Sequence, residues 1–302
     1  MCGIVGIFSK SSAIAGQLGS HMSRMLVEMS ARGPDSAGAA IYGSPLGAGA
    51  CRVSMRTEQP GTDWRMLESE LAREFGSANT HRSGQAYACL QVAGEPDAVQ
   101  HWIETHMPEL DVMSVGRALE IYKDAVSPRI FVERFELARM SGTHALGHTR
   151  MATESRVNPN GSHPFSTGLD LCLVHNGSLS NHNQLRRELQ REGISFRTEN
   201  DSEVAAGYLT WRLRGGSSIE QALEGCLEDL DGFYTFAVGT LDGFAVLRDP
   251  IACKPAVIAE TDDWVAMASE FRALALLPGA ADAQVWEPEG GRVYTWGTTV
   301  FT

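Results

Sequence analysis

A cysteine at position two, directly before an apolar segment, is the feature that most constrains this chain. Residues 3–8 are apolar or glycine, so they are predicted to form a strand buried on both faces. If Met1 is removed, Cys2 carries both a thiol and the free α-amino group. An α-amino group has a pKa of about 7.7–8.0, so part of it is unprotonated at neutral pH and can take the thiol proton. The alternative is that Cys2 is only a small apolar residue at the start of a strand.

The charge balance and the hydropathy pattern exclude several classes of protein. The 302 residues include 25 basic and 37 acidic side chains, which gives a net charge of −12. This sign argues against a surface that binds nucleic acid or an anionic membrane. No apolar run approaches the ~20 residues of a membrane span, and the N-terminus lacks the basic segment of a signal peptide. We therefore expect a cytoplasmic protein.

The cysteines give no pattern of a metal site. The chain has six cysteines and no C-x-x-C pair, so we expect no zinc or iron–sulfur site in it. Without a secretory signal, reduced and mostly buried thiols are expected. Cys2 is the one cysteine for which we predict a role other than that of a buried, reduced thiol.

Periodicity predicts many short strands interleaved with helices. This pattern is typical of an α+β sandwich rather than a Rossmann sheet. Strands are predicted at 37–42, 145–151 and 171–175, a hairpin at 233–239 and 244–248, and helices at 13–29, 203–213 and 219–229.

Residues 51–140 differ in character and are predicted to form a small α+β insert. They carry no motif with recognisable chemistry, and we expect them to dock a partner subunit. Within this insert we predict helices at 63–75 and 98–106 and strands at 86–92 and 112–122.

Several polar segments interrupt the strand and helix patterns. They are Arg32 to Gly38, Gly147 to Arg150, Asn158 to Phe165, Val174 to Gly177, and Glu199 to Glu203. Together with the N-terminal Cys2-Gly3-Ile4-Val5-Gly6, they resemble the class II glutamine amidotransferase domain, a branch of the N-terminal-nucleophile hydrolases. The resemblance covers residues 1–50 and 141–302. It implies a four-layer αββα sandwich of two mainly antiparallel sheets, with one amidotransferase domain over 1–302 that the insert 51–140 interrupts.

The resemblance also implies roles for individual residues. Cys2 would attack the side-chain amide of glutamine, and Asn176 and Gly177 would donate hydrogen bonds to the oxyanion that forms. A tight turn is the alternative for the Asn-Gly pair. Arg32 would order the loop over Cys2.

Four further positions match the glutamine-binding residues of that family. Arg150 would bind the α-carboxylate, Asp201 the α-ammonium, and Thr153 and His163 would contact the amino acid. A helix N-cap is an alternative for Asp201, and a structural role is an alternative for His163. The chain departs from the family at two positions. Met151 stands where family members often have a tryptophan, so an aromatic side chain beside the proposed pocket is missing, and Glu154 adds a negative charge.

No synthase motif follows the glutaminase-like segments, so the acceptor of ammonia is expected on another polypeptide. The architecture is similar to the stand-alone glutaminase-like subunit of glutamate-synthase-like complexes, of the N-methylglutamate synthase type. That resemblance implies a hetero-oligomer, with flavin and iron–sulfur cofactors on partner subunits and none in this chain. A catalytically silent subunit with an assembly or regulatory role is the alternative.

Overall fold

A computed structural model describes residues 2–59, 61–151 and 158–297. Its largest sheet has seven strands, in the order β15-β13-β14-β1-β8-β2-β7, and every neighbouring pair is antiparallel. These strands are β1 Gly3–Ser9, β2 Ser36–Tyr42, β7 Leu119–Asp124, β8 His144–Arg150, β13 Val257–Glu260, β14 Trp264–Ala268 and β15 Gln284–Trp286.

A five-stranded antiparallel sheet packs against the first one, in the order β16-β12-β11-β10-β9. Its strands are β9 Phe165–Gly168, β10 Leu171–Leu179, β11 Gly232–Thr240, β12 Gly243–Arg248 and β16 Val293–Gly297. Ile4 and Leu146 from the first sheet meet Val174 and Val246 from the second in one buried cluster. The space between the sheets is therefore an apolar core.

Helices cover the outer face of each sheet. Val5 and Ile7 of β1 pack with helices on one side of the molecule, and Leu173 and Phe236 pack with helices on the other. The helices on the first sheet are α1 Ser12–Gly16, α2 Leu18–Glu28, α5 Pro128–Arg134 and α9 Phe271–Leu274, and those on the second are α6 His182–Arg191, α7 Asp201–Arg214 and α8 Ile219–Asp229. The predicted αββα sandwich is confirmed. Strand β1 alternates between the two cores, as its apolar sequence predicts.

A third sheet of four antiparallel strands, β4-β5-β3-β6, lies within the predicted insert. Its strands are β3 Cys51–Thr57, β4 Ala78–Ser83, β5 Tyr87–Val92 and β6 Leu110–Gly116, and its helices are α3 Trp64–Phe75 and α4 Pro96–His106. Val53, Leu67 and Ile103 belong to its separate hydrophobic core.

The segment that follows this third sheet belongs to the sandwich. We predicted the insert over 51–140 and one strand over 112–122. Strand β7 instead pairs with β2 at the edge of the seven-stranded sheet, and Phe131 of α5 packs in the core of that layer. The separate unit is therefore Cys51–Gly116.

Two further helix predictions need correction. The helix predicted at 13–29 is interrupted at Gln17, so that α1 and α2 are separate elements. The helix predicted at 203–213 begins two residues earlier, at Asp201. In the part of the chain that the structure describes, no helix is both long and apolar enough to cross a membrane.

Candidate active site

The backbone of Cys2 is held in place at the start of the central strand β1. Gly3 pairs with Thr149 of β8, so Cys2 lies beside the end of that strand. The carbonyl oxygen of Cys2 accepts a hydrogen bond from Arg32 Nε at 2.9 Å and another from Asn176 Nδ2 at 3.3 Å. These donors come from opposite layers of the sandwich. Although it is the second residue of the chain, Cys2 has a defined position.

Cys2 also differs from the other cysteines in its surroundings. It is half-buried, whereas Cys51 and Cys172 are fully buried, and burial raises the pKa of each of those two thiols to about 12. A thiol with such a pKa carries almost no thiolate at neutral pH and is a poor nucleophile. Burial also raises the pKa of Cys89 and Cys226.

Arg32 connects Cys2 to the segment that follows strand β14. Its guanidinium is buried, and Nη1 donates to Glu270 Oε1 at 2.7 Å. The other oxygen of Glu270 is paired with Arg272 Nε at 2.7 Å. The hydrogen bond from Arg32 is the main reason why the pKa of Glu270 is lowered. Arg32 therefore connects the backbone of Cys2 to Glu270.

Asn176 and Gly177 lie inside strand β10 and not in a tight turn. They pair with Thr235 and Tyr234 of β11. Gly177 has a φ of +157°, and a Cβ at this position would lie 2.0 Å from the carbonyl oxygen of Phe233. Only glycine fits here, because every other residue would overlap the neighbouring strand. From within this strand, the Asn176 side chain reaches the carbonyl oxygen of Cys2.

The side chains of Arg150 and Asp201 approach the site from two other elements. Arg150 is the last residue of β8, and its Nη1 donates to Gly161 O at 2.8 Å. The same carbonyl oxygen lies 3.4 Å from Nδ2 of Asn200, which is the residue directly before Asp201. Gly161 therefore connects the two segments that carry the predicted carboxylate-binding and ammonium-binding residues.

Asp201 is the first residue of helix α7, and its predicted alternative role as N-cap is wrong. The N-cap is Asn200, whose side-chain oxygen accepts from Ser202 N at 2.8 Å. Because Asn200 satisfies this helix terminus, the Asp201 carboxylate is available for other partners. Asp201 Oδ2 accepts from Leu179 N at 2.9 Å, and its side chain is 23% exposed.

His163 lies behind the site, in a buried group with two other histidines. Its ring stacks on that of His148, with centroids 4.0 Å apart, and its Nδ1 accepts from His175 N at 3.3 Å. Burial lowers the pKa of His163 well below its usual value, that of His148 to about 3 and that of His175 to about 4. All three rings are therefore neutral at pH 7. Two predictions lie outside the described residues, namely the contact of Thr153 with substrate and the effect of Glu154.

Lys123 supports the segment that carries His163, and the sequence analysis did not find it. Its buried ammonium donates to the carbonyl oxygens of Asn160, Ser162 and Pro164, at 3.2, 3.0 and 3.3 Å. Burial lowers the pKa of Lys123 to about 8. Its sequence position in strand β7, far from the polar motifs, gave no indication of this contact.

The third sheet contacts both segments that border the site. Asp111 Oδ2 of β6 accepts from Asn160 Nδ2 at 2.9 Å. Arg197 donates to Val112 O of the same strand and to Glu104 of α4. A small cleft of about 80 Å³, partly open to solvent, lies between these elements. In residues 2–59, 61–151 and 158–297, no group of three or more His, Cys, Asp or Glu side chains could hold a metal ion.

Comparison with known proteins identifies relatives along nearly the whole chain. The model of a family described as a glutamine amidotransferase domain matches residues 148–276. The glutamine amidotransferase-like protein GlxB of Rhizobium meliloti is 52% identical over 297 residues, and the match covers 98% of each chain. A Methanothermobacter thermautotrophicus protein, also named as a glutamine amidotransferase, is 34% identical over 97% of this chain and 99% of its own.

A solved structure supports the fold independently. The glutamine phosphoribosylpyrophosphate amidotransferase from B. subtilis superposes with a TM-score of 0.63 at 20% identity. The match covers 98% of this chain and 47% of that one, so this chain spans about half the length of that structure. Sequence relatives and fold agree: the chain belongs to the glutamine amidotransferase family and has the fold of its class II, N-terminal-nucleophile branch.

Proposed function

We propose that this protein is a glutaminase subunit that hydrolyses L-glutamine through Cys2. The observation that carries the proposal is the 3.3 Å hydrogen bond from Asn176 Nδ2 to the carbonyl oxygen of Cys2. It places a side-chain N–H donor beside the residue with the candidate nucleophile. The next residue of the same strand, Gly177, contributes its backbone N–H.

The chemistry follows from these groups. Once Met1 is removed, the α-amine of Cys2 takes the thiol proton, and the thiolate attacks the side-chain carbonyl carbon of glutamine. Asn176 and Gly177 stabilise the negative charge that develops on the carbonyl oxygen. The C–N bond then breaks, ammonia leaves with the proton, and a γ-glutamyl thioester remains on Cys2. Water hydrolyses this thioester and releases glutamate.

Recognition of the amino acid is assigned to two opposite charges. A guanidinium binds a carboxylate through two parallel hydrogen bonds, which suits Arg150 to the α-carboxylate. The Asp201 carboxylate is the partner proposed for the α-ammonium. Thr153 and His163 are proposed as further contacts, and from its buried position His163 would act through its neighbours.

We further propose that the ammonia passes to a separate synthase subunit of a glutamate-synthase-like complex, of the N-methylglutamate synthase type. Flavin and iron–sulfur cofactors would then reside on the partners. The unit Cys51–Gly116 is the proposed docking surface. Its replacement by a short linker should abolish complex formation, and an intact complex would contradict this role.

The test of the glutaminase proposal combines product release with capture of the thioester. Protein whose intact mass shows that Met1 is absent is incubated with glutamine, with and without hydroxylamine. We expect glutamate in the first case and γ-glutamyl hydroxamate in the second, because hydroxylamine attacks thioesters. Both products should disappear in Cys2→Ala and remain in Cys253→Ala, which removes an exposed thiol.

Two results would contradict the proposal. Glutamate release that survives Cys2→Ala would exclude Cys2 as the nucleophile. Absence of both products from Met1-free protein that is assembled with its partners would instead favour the silent, assembly role.

A further inference from the structure

The hydroxyl group of Ser202 lies at the centre of a buried polar cluster behind the site. Ser202 Oγ is 2.8 Å from His175 Nδ1, 3.3 Å from His163 Nε2 and 3.3 Å from Asp201 Oδ1. The side chain is almost completely buried, at 2% exposure. The N-cap role at this terminus belongs to Asn200, so the hydroxyl of Ser202 is not needed for capping.

The proton on His163 can be placed from its neighbours. Its Nδ1 accepts the backbone N–H of His175, so Nδ1 carries no proton. The buried ring is neutral, and it must therefore carry its proton on Nε2. His163 Nε2 then donates to Ser202 Oγ, which acts as the acceptor in this contact.

The hydroxyl proton of Ser202 has two possible acceptors. If it went to His175 Nδ1, His175 would carry its own proton on Nε2. That atom is buried and has no hydrogen-bond partner among the residues that the structure describes, so a donor would be left unpaired. If the proton instead goes to Asp201 Oδ1, His175 carries its own proton on Nδ1 and donates it to Ser202 Oγ. In that case no N–H group of the two histidines is left without an acceptor. The second arrangement is favoured because buried unpaired donors are costly and bonds to a carboxylate are strong.

In this arrangement Ser202 uses its full capacity of two accepted bonds and one donated bond. The Asp201 carboxylate is fixed by two protein donors, the hydroxyl at Oδ1 and Leu179 N–H at Oδ2. The same hydroxyl also contacts His175, which directly precedes Asn176 in strand β10. Ser202 therefore links the candidate ammonium-binding group to the candidate oxyanion hole.

We propose that Ser202 is a positioning residue that orients Asp201 and thereby sets the preference for substrates that carry an α-ammonium group. This inference rests on the proposed function, in which Asp201 binds that ammonium. Ser202 itself does not contact the substrate. Its removal should therefore affect glutamine much more than a substrate without the α-amino group.

The experiment compares L-glutamine with glutaramate, which has the same amide and carboxylate but no α-amino group. Wild-type full-length protein, assembled with its partners, should prefer glutamine by at least about 100-fold in kcat/KM, because a site built around a polar group rejects analogues that lack it. Ser202→Ala should lower kcat/KM for glutamine roughly 10-fold and for glutaramate less than about 2-fold. Ser202→Thr, which keeps the hydroxyl, should retain the preference.

Matched variants separate this role from a general structural one. Ser23→Ala removes another buried helical hydroxyl, which donates to Gly19 O within α2, and should leave the preference unchanged. In an Asp201→Asn background, Ser202→Ala should cause no further loss of preference, because both changes act on the same contact. Ser202→Cys, a near-isosteric weaker donor, provides the test if the alanine variant does not fold.

Two outcomes overturn the inference and are distinguishable. Equal losses for glutamine and glutaramate in Ser202→Ala would show that Ser202 supports only the fold. A wild-type protein without preference for glutamine would exclude the ammonium-binding role of Asp201, and the proposed recognition of substrate would fail with it.

Discussion

The Asn176 side chain donates a hydrogen bond to the carbonyl oxygen of Cys2 at 3.3 Å, across the junction of the two sheets. Strand β10 of the second sheet is thereby connected to the first residues of the first sheet. A donor in this position can bind the oxyanion after a small rotation of its side chain. If Asn176 acts as proposed, this contact explains how a residue of one sheet reaches the chemistry at Cys2.

Removal of this donor should slow the chemical step. We expect Asn176→Ala to lower kcat for glutamine hydrolysis by about 10²–10³-fold, with a much smaller change in KM, because an oxyanion-hole donor acts mainly in the transition state. Steady-state kinetics on the assembled protein measures both constants. A large rise in KM with unchanged kcat would instead indicate a role in binding the ground state.

Gly177→Ala should destabilise the fold. The new methyl group would lie 2.0 Å from Phe233 O and 2.7 Å from His175 Nε2, and overpacking of this kind costs about 1–3 kcal/mol of the free energy of unfolding. Denaturant titration measures the change. Gly16→Ala is the control, because its Cβ would meet no atom within 4 Å in helix α1 and should cause no loss of stability. An equal change in the free energy of unfolding in the two variants would contradict the steric argument.

Arg150→Lys should weaken binding of glutamine without removing the charge. A lysine cannot form the two parallel hydrogen bonds, so we expect KM to rise roughly 10-fold or more. For 4-aminobutanamide, which lacks the carboxylate, the substitution should have little effect. Arg139→Lys, at an exposed residue paired with Glu136, is the control. If KM rises equally for glutamine and for 4-aminobutanamide, Arg150 acts on the Gly161 segment and not on the carboxylate of the substrate.

The buried histidines should make the protein sensitive to acid. The pKa of His148 is lowered to about 3 and that of His175 to about 4, so below pH 6.5 the unfolded chain binds protons that the folded chain does not. The stabilising contribution is complete above pH 6.5 and is lost as the pH falls toward these values. Each histidine should contribute up to about 1.4 kcal/mol per pH unit.

Urea midpoints between pH 7 and pH 4.5 test this expectation. His148→Gln should reduce the slope of the unfolding free energy against pH, whatever its effect on stability at pH 7. His101→Gln, on the exposed face of α4, should leave that slope unchanged. An unchanged slope in the His148 variant would show that this histidine is not held neutral in the fold.

The contact between the third sheet and the glutamine-binding segment should influence affinity. Asp111→Ala removes the 2.9 Å bond to Asn160 Nδ2 and should raise KM for glutamine by up to about 5-fold, since one hydrogen bond is worth about 1 kcal/mol. Glu109→Ala, at an exposed neighbouring residue, should change nothing. If both variants match wild type in KM, the third sheet does not support the binding segment.

Local patterns in the sequence were sufficient to predict an α+β sandwich and a strand β1 that is buried on both faces, and the resemblance of the polar segments to a known family predicted the four layers. They failed where distant residues determine the conformation. The apolar run 112–122 predicts one strand, yet it turns at Gly116, where the Asp170 carboxylate accepts from the backbone N–H groups of residues 117–119. A partner about 50 residues away leaves no local signal.

The site residues also divide into those that local sequence segments indicate and those that only the packing reveals. Cys2, Asn176 and Arg150 lie in recognisable segments. The structure places Cys2 and Arg150 at adjoining strand ends, and Asn176 donates to the carbonyl oxygen of Cys2 from within strand β10. Ser202, His148 and His175 lie in the same segments, but only the packing shows that they contact one another or His163. Lys123 could not be found at all, because its partners are backbone carbonyls and any sequence provides those.

The position of strand β1 between β8 and β14, directly after Cys2, also has a practical consequence. Chain termini usually fray, but here the second residue is followed at once by a strand that lies between β8 and β14. Any amino-terminal extension, including an affinity tag or a retained Met1, would start next to Arg32 and Asn176, where substrate is expected to bind. If Cys2 acts as proposed, purification of this protein through an uncleaved amino-terminal tag should therefore yield protein without glutaminase activity.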